Sequence, residues 1–321
     1  MKFSILVPAY KPQFLAECIE SILAQTYGDW ELIIVNDASP YDIDSIVGRF
    51  SDSRIRYYKR EKGFGAERLV DNWNECLSYA TGEYVINMGD DDKLCPNCLH
   101  DYLKLIMKYP GKHIYHTRVE YINELSEVTK VQDERPEEES VYSMMLRKLN
   151  GCRICIGEFL FATRTLRDLG GYYNVPYAWG ADDISSYEAA KIGGCANCNY
   201  PGFQYRDNSL TITSQNDIMP EKYEATIIWE KWYKEFVKTA PLDSNDIERR
   251  EALSAFLPLT YVLRASYIDK DINNRLLKGW FYWTKRIHKN ICIGVKQRTL
   301  FVFLAYALLS KMKIKWYNLN P

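Results

Sequence analysis

Three consecutive carboxylates are the feature of this chain best suited to chemistry. Asp90, Asp91 and Asp92 follow an apolar run over residues 83–88 that predicts a buried strand. Neighbouring carboxylates repel each other, so three in a row destabilise a fold unless a cation or hydrogen-bond donors offset their charge. Mg²⁺ and Mn²⁺ prefer oxygen ligands and are commonly held by one or two carboxylates together with substrate phosphates. The cluster therefore indicates a metal that bridges a diphosphate. The alternative is a solvated acidic turn that caps the next helix.

Cysteine is the second residue type with a suggestive spacing. The chain contains three C-x-x-C pairs: Cys95 and Cys98, Cys152 and Cys155, Cys195 and Cys198. Two such pairs could build a tetrahedral zinc site, and one pair could act as a redox dithiol. No pair has zinc-ribbon spacing to another, so we expect buried or incidental thiols. An odd total of nine cysteines without a signal peptide predicts free thiols in a reducing cytoplasm.

Over about the first ninety residues, segments with the apolar pattern of strands alternate with segments that have the pattern of helices. These strands and helices must position the carboxylates. Short apolar runs predict buried strands over residues 4–7, 31–35, 55–58 and 83–88. Apolar residues at i, i+3 and i+4 predict two helices, one that starts near Pro12 and ends at Gly28 and one over residues 68–80. This alternation predicts an α/β sheet with both faces covered.

Beyond residue 92 the pattern is less regular. Helices are predicted over residues 96–109, 184–192, 223–239 and 247–268, and strands within 114–131 and over 159–162. The acidic segment 133–140 contains a proline and predicts a solvated loop. Strand signal is sparse after residue 220, so we predict a domain boundary near residue 215. The α/β domain would span 1–215, and a helical extension would span 216–321.

Polar residues follow three of the predicted strands. Pro8, Ala9 and Tyr10 come after the first strand, Asp37 comes after the second, and Asp90–Asp92 come after the fourth. Ligands of open α/β sheets bind beyond the carboxyl ends of the strands. This position favours the metal over the solvated turn as the explanation of the acidic cluster.

Charge and composition exclude several classes of protein. The 321 residues carry 41 Lys or Arg against 42 Asp or Glu, a formal net charge of −1, so a general nucleic-acid binder is not expected. Apolar residues make up 47% of the chain and charged residues 26%, which is typical of globular domains. No glycine-rich loop follows the first strand, which argues against a dinucleotide dehydrogenase and a sugar-nucleotide pyrophosphorylase.

The C-terminal segment has a strongly polarised composition. Residues 272–321 contain ten Lys or Arg and no Asp or Glu. Aromatic rings that favour membrane interfaces are interspersed among them: Trp280, Tyr282, Trp283, Trp316 and Tyr317. The apolar stretch 299–310 is shorter than the roughly 20 residues a spanning helix needs, so we expect it to lie in the interface of an anionic membrane. The alternative is a helical subdomain that packs on the α/β domain.

Five motifs in order resemble the family-2 glycosyltransferases, which have the GT-A fold. The resemblance covers about residues 3–213. Its motifs are the segments 3–10 and 32–39, the segment 72–85 that leads into the DxD-like cluster, the segments 170–172 and 179–183, and Tyr205 and Arg206 with Ser209. The resemblance implies a Rossmann-like nucleotide-sugar-binding sheet, with a nucleotide-binding half over 1–95 and an acceptor half over 96–215.

On the donor side, the resemblance assigns roles to the polar strand ends. It implies that Asp37 binds the base or ribose of the donor, with Pro8, Ala9 and Tyr10 beside it. Asp91 would be the main ligand of Mn²⁺ or Mg²⁺, with Asp92 as a second ligand and Asp90 near the ribose or metal. Gly89 stands where many members have the first Asp of the motif, which leaves the exact ligand open.

On the acceptor side, Asp183 falls on the catalytic base of the family, and Asp182 stands where the family usually has Glu. A carboxylate suits this role because inverting transfer needs a base that deprotonates the acceptor hydroxyl. The structural alternative is that both residues stabilise the start of the next helix. Arg68 and Arg206 are candidate partners of the diphosphate, because a guanidinium suits bidentate contact with oxyanions.

Together these observations predict a metal-dependent inverting glycosyltransferase. Its donor would be a nucleotide-diphosphate sugar, with UDP the expected nucleotide. Its acceptor would be a glycan or a lipid-linked sugar in surface polysaccharide assembly. We expect a cytoplasmic protein that is peripheral at the inner face of the membrane. The competing hypothesis is a non-catalytic nucleotide- or glycan-binding protein of the same fold.

Overall fold

The computed structural model describes residues 1–208, 217–241, 243–257, 260–288 and 295–317. Its contacts divide the chain into two compact units. One is formed by Met1–Thr211 with Pro241–Arg250, and the other by Ile212–Ala240 with Glu251–Pro321. The boundary predicted near residue 215 and the motif residue Ser209 lie outside the described residues. The division into 1–215 and 216–321 therefore stays a prediction.

The first unit is built on one mixed sheet, which contains all ten strands found in the described residues. They are β1 Phe3–Ala9, β2 Trp30–Asn36, β3 Ile55–Lys59, β4 Tyr84–Asn87, β5 Lys93–Leu94, β6 Ile114–Ile122, β7 Val128–Val131, β8 Glu138–Glu139, β9 Phe159–Ala162 and β10 Cys195–Arg206. Their order is β3-β2-β1-β4-β9-β6-β10-β5, with β7 paired to β6 and β8 paired to β10.

The sheet has a parallel half and a mixed half. β1 pairs in parallel with β2 and β4, and β2 pairs in parallel with β3. β9 lies antiparallel between β4 and β6, while β10 runs parallel to β6. Because β1, β2 and β4 are parallel, their carboxyl ends meet at one edge, where the three predicted polar segments begin.

Seven helices lie within the first unit, and five more follow in the described part of the chain. The first seven are α1 Leu15–Leu23, α2 Ile43–Val47, α3 Leu69–Tyr79, α4 Cys98–Lys108, α5 Val141–Leu149, α6 Thr163–Asp168 and α7 Ala181–Ala190. The others are α8 Met219–Lys238, α9 Asn245–Phe256, α10 Thr260–Arg275, α11 Leu277–His288 and α12 Gln297–Tyr317.

The core shows why these segments form these elements. One buried cluster combines alternate residues of β1 with a helical stripe of α1: Phe3, Ile5, Val7 and Ala9 with Leu15, Cys18, Ile19 and Ile22. The two periodicities match a strand and a helix that bury one face each. β2 is buried along its whole length, as expected of a strand covered on both faces.

Several predicted boundaries were wrong. α1 ends at Leu23 rather than at Gly28, because the chain after it binds another loop: the Gln25 side chain donates to the Cys95 carbonyl (2.8 Å) and the Thr26 N–H to the Pro96 carbonyl (2.9 Å). The predicted helix over 247–268 is two helices, α9 and α10.

The acidic segment 133–140 was also misread as a solvated loop. It contains β8, and its Arg135 and Glu139 side chains are both buried. Arg135 lies 2.9 Å from Glu158 and 3.6 Å from Glu139, so each buried charge has a partner. Periodicity alone does not reveal such a network, because each residue taken singly is typical of a protein surface.

The second unit is helical. Trp283 of α11 is fully buried, donates to Asp271 of α10 at 2.8 Å and packs on Tyr223 of α8 with ring centroids 5.0 Å apart. Among the residues described, no helix combines the length and the apolar character that a membrane crossing requires.

Candidate active site

The acidic cluster lies at the shared edge of β1, β2 and β4, directly after β4. The Asp90 carboxylate accepts hydrogen bonds from the backbone N–H groups of Tyr10 and Lys11, both at 2.7 Å. The residues after β1 are thus tied to the residues after β4. The Asp37 N–H in turn donates to the Ala9 carbonyl at 3.1 Å, which joins the end of β2 to the same place.

The three carboxylates have different environments. Asp92 is buried and accepts from the backbone N–H groups of Arg206 (2.9 Å) and Gly89 (3.3 Å). The Asp91 side chain is 14% exposed; it accepts from the Asn208 amide at 2.9 Å, with the Lys11 ammonium 4.0 Å away. Asp91 is therefore the carboxylate with a side chain available to a ligand.

The electrostatics of the cluster favour a cation. Burial and the charge of Asp91 raise the pKa of Asp90 to about 6. The same two causes, in the same order, raise the pKa of Asp92 well above its ordinary range. A divalent cation beside Asp91 would offset this repulsion, because an opposite charge within a few ångströms favours the ionised form of a carboxyl group.

Gly89 fits the cluster for a steric reason. A Cβ at this position would lie 2.7 Å from Asp91 Oδ1 and 2.9 Å from Asp92 Oδ2. The carboxylates of the next residues occupy that space, so a side chain at position 89 would have to displace them.

The residues of the cluster fit a metal that is shared with a ligand. Within the described ranges, no group of three or more His, Cys, Asp and Glu side chains is arranged to hold a metal ion. Both oxygens of Asp92 already accept backbone N–H groups. A cation held mainly by Asp91 and completed by phosphate oxygens is compatible with these contacts, and it is a common arrangement for Mg²⁺.

Asp37 holds a loop at the same edge. Its two carboxylate oxygens accept from the backbone N–H groups of Phe64 and Gly65, each at 2.8 Å, and Arg60 lies 3.5 Å away. Each oxygen keeps a second lone pair that could accept a further hydrogen bond. Asp37 is itself buried, so its main observed role is to hold the loop at residues 64–65 against the end of β2.

Arg68 and Arg206 have opposite environments. Arg68 is 61% exposed, pairs with Asp71 at 2.6 Å and lies over the Phe64 ring at 4.6 Å. Arg206 has no exposed surface. Its guanidinium donates to Asp91 O (2.8 Å), Asn123 O (3.0 Å), Glu124 O (3.3 Å), Ser126 Oγ (3.0 Å) and Glu17 Oε2 (3.0 Å). This placement favours a positioning role for Arg206 over contact with a diphosphate.

We expect Arg206→Met to destabilise the protein by on the order of 3 kcal/mol, because it removes five hydrogen bonds donated by a fully buried guanidinium, one of them to the Glu17 carboxylate. The matched control is Arg68→Met, which removes an exposed ion pair worth about 1 kcal/mol or less. Urea unfolding of both variants measures the difference. Equal losses in the two variants would contradict the assignment of Arg206 to the core.

The second acidic motif begins α7. The helix starts at Ala181, three residues earlier than predicted, so both carboxylates lie in its first turn and Gly180 occupies the N-cap with φ 92°. The Asp182 carboxylate accepts from the Asp183 N–H at 3.0 Å. Burial and the charge of Asp183 raise the pKa of Asp182 to about 7.

The charges of both acidic motifs act on one buried thiol. Burial comes first among the causes that raise the pKa of Cys155, and the charges of Glu158, Asp92 and Asp182 add to it. Asp92 and Asp182 are therefore both near Cys155. The eight cysteines in the described residues are free thiols.

The structure thus brings together most of the residues singled out from the sequence. Asp37, the residues after β1 and the acidic cluster meet at one edge, while Asp182 and Asp183 lie at the start of α7. Sequence reasoning missed three side chains that contact the acidic residues: Lys11, Asn208 and Lys148. Of these three, Lys11 is the residue that the sequence could have indicated, because it directly follows the candidate site residue Tyr10.

Comparison with known proteins identifies the family. The family model described as glycosyl transferase family 2 matches residues 4–169, which is more than half of the chain. The chain belongs to glycosyl transferase family 2. This match covers β1 through β9 and includes the whole acidic cluster after β4.

Curated relatives of this family 2 protein are moderately similar. The putative glycosyltransferase EpsE of Bacillus subtilis (strain 168) is 28% identical over 188 residues, which cover 57% of this chain and 64% of EpsE. The Escherichia coli enzyme named UDP-Glc:alpha-D-GlcNAc-diphosphoundecaprenol beta-1,3-glucosyltransferase WfgD is 33% identical over 128 residues, covering 40% of this chain and 49% of WfgD. The chain thus spans less than two thirds of the length of either relative.

Solved structures confirm the predicted fold of this family 2 protein. S. aureus TarS 1–349 in complex with UDP-GlcNAc superposes with a TM-score of 0.60 and 16% identity, over 85% of this chain and 73% of TarS. The mannosyltransferase PcManGT from Pyrobaculum calidifontis, in complex with GDP-Man and Mn²⁺, gives a TM-score of 0.54 and 17% identity, over 98% of this chain and 87% of PcManGT. The α/β GT-A architecture expected from the motifs is thereby confirmed.

Proposed function

We propose that this protein is an inverting glycosyltransferase that moves a sugar from a nucleotide-diphosphate sugar to a glycan or lipid-linked acceptor. The proposal is carried by two acidic motifs of the first unit: the Asp91 cluster after β4 and Asp183 at the start of α7. The first is suited to a metal and a diphosphate, and the second to an acceptor hydroxyl. The family match and the fold support the same reaction class.

Asp183 would act as the base of this reaction. Its carboxylate takes the proton of the acceptor hydroxyl as the hydroxyl oxygen bonds to the anomeric carbon of the donor sugar. The bond from that carbon to the diphosphate oxygen breaks at the same time, and the nucleoside diphosphate leaves with the electron pair. Attack from the face opposite the leaving group inverts the anomeric centre, and a positioned base contributes about 10²- to 10⁴-fold to such a step.

Asp91 would hold the metal, with Asp92 and Asp90 close by. A bound Mn²⁺ or Mg²⁺ would neutralise charge on the leaving diphosphate. Asp91 is supported as the ligand because its side chain is exposed to the edge, while Asp92 and Asp90 accept backbone N–H groups. The Mn²⁺ in the PcManGT complex is in keeping with this proposal.

The donor nucleotide would lie against the ends of β1 and β2. Asp37 and the chain at Pro8, Ala9 and Tyr10 would contact the base and ribose, and exposed Arg68 would be available to the diphosphate. We favour a UDP-sugar, since the TarS structure holds UDP-GlcNAc and the name of WfgD specifies UDP-Glc. That name also specifies a diphosphoundecaprenol acceptor, which supports a lipid-linked acceptor in surface polysaccharide assembly.

A donor panel tests the proposal. The full chain is incubated with UDP-Glc, UDP-GlcNAc, UDP-Gal and GDP-Man, with Mn²⁺ or EDTA, and both the melting temperature and the release of nucleoside diphosphate are measured. We expect one donor to raise the melting temperature and to be hydrolysed slowly in the presence of Mn²⁺, because a ligand of the folded state stabilises it. A shift without any release would favour the competing non-catalytic binding protein. No shift and no release with any donor would overturn the proposal.

We also propose that the second unit attaches the protein peripherally to an anionic membrane, at the inner face if the protein is cytoplasmic. Phe281 and Phe301 are 62% and 54% exposed, and both rings pack against Trp280, with centroids 4.9 and 5.0 Å apart. α11 and α12 thus present exposed aromatic rings in a segment that has ten basic and no acidic residues. Each Lys or Arg near an anionic surface adds about 1 kcal/mol of attraction.

Liposome co-sedimentation measures this attachment. We expect the full chain to bind phosphatidylglycerol vesicles at low salt, to bind phosphatidylcholine vesicles weakly, and to be released at high salt. The double variant Phe281→Ser and Phe301→Ser should lose most of this binding. Val128→Ser, which changes an exposed apolar residue of β7, serves as the control. Absence of binding to anionic vesicles at low salt would refute the proposal.

A further inference from the structure

Lys148 is a cation that faces the acidic pair at the start of α7. It belongs to the last turn of α5, and its ammonium nitrogen lies 3.1 Å from Asp183 Oδ1. The Asp183 side chain is only 9% exposed. The Lys148 side chain is 31% exposed, so solvent screens the pair in part, but the short distance and the burial of the carboxylate keep the interaction substantial.

The other titratable groups around this pair are mostly acidic. Asp182 and Tyr187 belong to α7 itself, and the charge of Asp183 acts on both. Glu158 lies in the segment before β9, and its charge contributes to the raised pKa of Asp182. The charge of Lys148 opposes the rise in the pKa of Glu158. Lys148 is thus placed to balance the negative charge of three neighbouring carboxyl groups.

The charges of the lysine and of the carboxyl groups depend on each other. Burial alone would lower the pKa of Lys148, but the charges of Asp183 and Asp182 outweigh it and raise the pKa. Lys148 is therefore cationic at neutral pH. Burial and the charge of Asp183 raise the pKa of Asp182 to about 7, while the charge of Lys148 opposes that rise. Without the lysine, the charge that opposes this rise would be lost, and the pKa of Asp182 would rise further.

We propose that Lys148 is a positioning residue for the base: its ammonium, 3.1 Å from Asp183 Oδ1, pairs with that oxygen and offsets the negative charge of the acidic pair, which leaves Oδ2 to accept the proton of the acceptor hydroxyl. The inference rests on the proposed function for its catalytic meaning. It assigns no contact between Lys148 and the substrates.

A pH profile separates this role from a purely structural one. In Lys148→Met, we expect the acidic limb of kcat/KM for nucleotide release from the donor to move at least one pH unit upward. Activity at pH values below the acidic limb should then fall about tenfold, since one unit is there a tenfold change in the ionised fraction. The deficit should narrow towards pH 9, above the limb. Lys148→Arg, which keeps the charge, should restore most of the wild-type profile.

Arg147→Met is the matched control. Arg147 is the preceding residue on α5 and pairs with Glu139 at 3.2 Å rather than with the acidic pair of α7. Its loss should leave the position of the acidic limb unchanged. A uniform loss of activity at every pH in Lys148→Met, with the limb in place, would show that the lysine only supports the fold and would overturn the proposal.

A stability measurement tests the coupling between the charges of Lys148 and Asp183, and it does not require transferase activity. Melting temperatures are compared at pH 5 and pH 8 for wild type, Lys148→Met, Asp183→Asn and the double variant. The pKa of Asp182 is already raised to about 7 in the folded protein, and Lys148→Met should raise it further. Asp182 then binds its proton more tightly when folded than when unfolded, so stability is lost as the pH rises through that folded-state pKa. Adding Asp183→Asn should remove this loss. If Asp183→Asn has the same effect in both backgrounds, the two residues are not coupled and the proposal fails.

Discussion

Replacing Asp183 with asparagine is expected to abolish sugar transfer while leaving donor binding intact. Asparagine preserves the shape of the side chain but cannot take the proton of the acceptor hydroxyl. The loss should be on the order of 10²- to 10⁴-fold in kcat, the range that a positioned general base contributes. Donor affinity should stay near that of the wild type, because Asp183 belongs to α7 and not to the edge formed by β1, β2 and β4.

Asp182→Asn provides the comparison at the neighbouring position. Asp182 accepts the N–H of Asp183 and does not pair with Lys148 in the way that Asp183 does, so its loss should reduce activity less. Isothermal titration with the nucleotide checks binding in both variants, and nucleotide release checks turnover. Activity of Asp183→Asn within tenfold of the wild type would mean that another group is the base, and Asp182 would be the next candidate.

The parallel half of the sheet could be predicted from the sequence because its elements are amphipathic or fully buried. β1 and β2 were recognised from their apolar runs, and both extend only one or two residues beyond the predicted bounds. α2 was missed because its five residues, Ile43–Val47, are too few to display a helical period. The order of the strands in the mixed half depends on long-range pairing, which local periodicity does not encode.

The residues of the candidate site could likewise be predicted only in part. Asp37 and Asp91 could be singled out as candidates because each lies in a polar segment after a predicted strand. Lys148 and Asn208 were missed because their proximity to acidic side chains arises only when distant elements pack. Arg206 was predicted from its residue type, but only the fold reveals that it is fully buried, which is rare for arginine.

Asp91→Ala is expected to abolish the metal-dependent part of nucleotide binding without unfolding the protein. Asp91 contributes only its side-chain contact with Asn208 and a 4.0 Å approach of Lys11, whereas Asp92 and Asp90 carry the hydrogen bonds that join the loops. Removal of Asp91 also relieves the charge that raises the pKa of Asp90 and Asp92 after burial. The fold should therefore be retained, and the melting temperature should be unchanged or raised.

The experiment compares UDP affinity with Mn²⁺ and with EDTA for three proteins. The wild type should bind UDP at least tenfold more tightly with Mn²⁺, a difference of about 1.4 kcal/mol. Asp91→Ala should bind equally weakly in both conditions. Asp168→Ala, which removes a carboxylate that is 71% exposed on α6, should behave like the wild type. Equal UDP affinity of the wild type with and without Mn²⁺ would refute the metal role. The nucleotide would then bind without a cation at the acidic cluster, and Asp91→Ala would have no metal-dependent binding to remove.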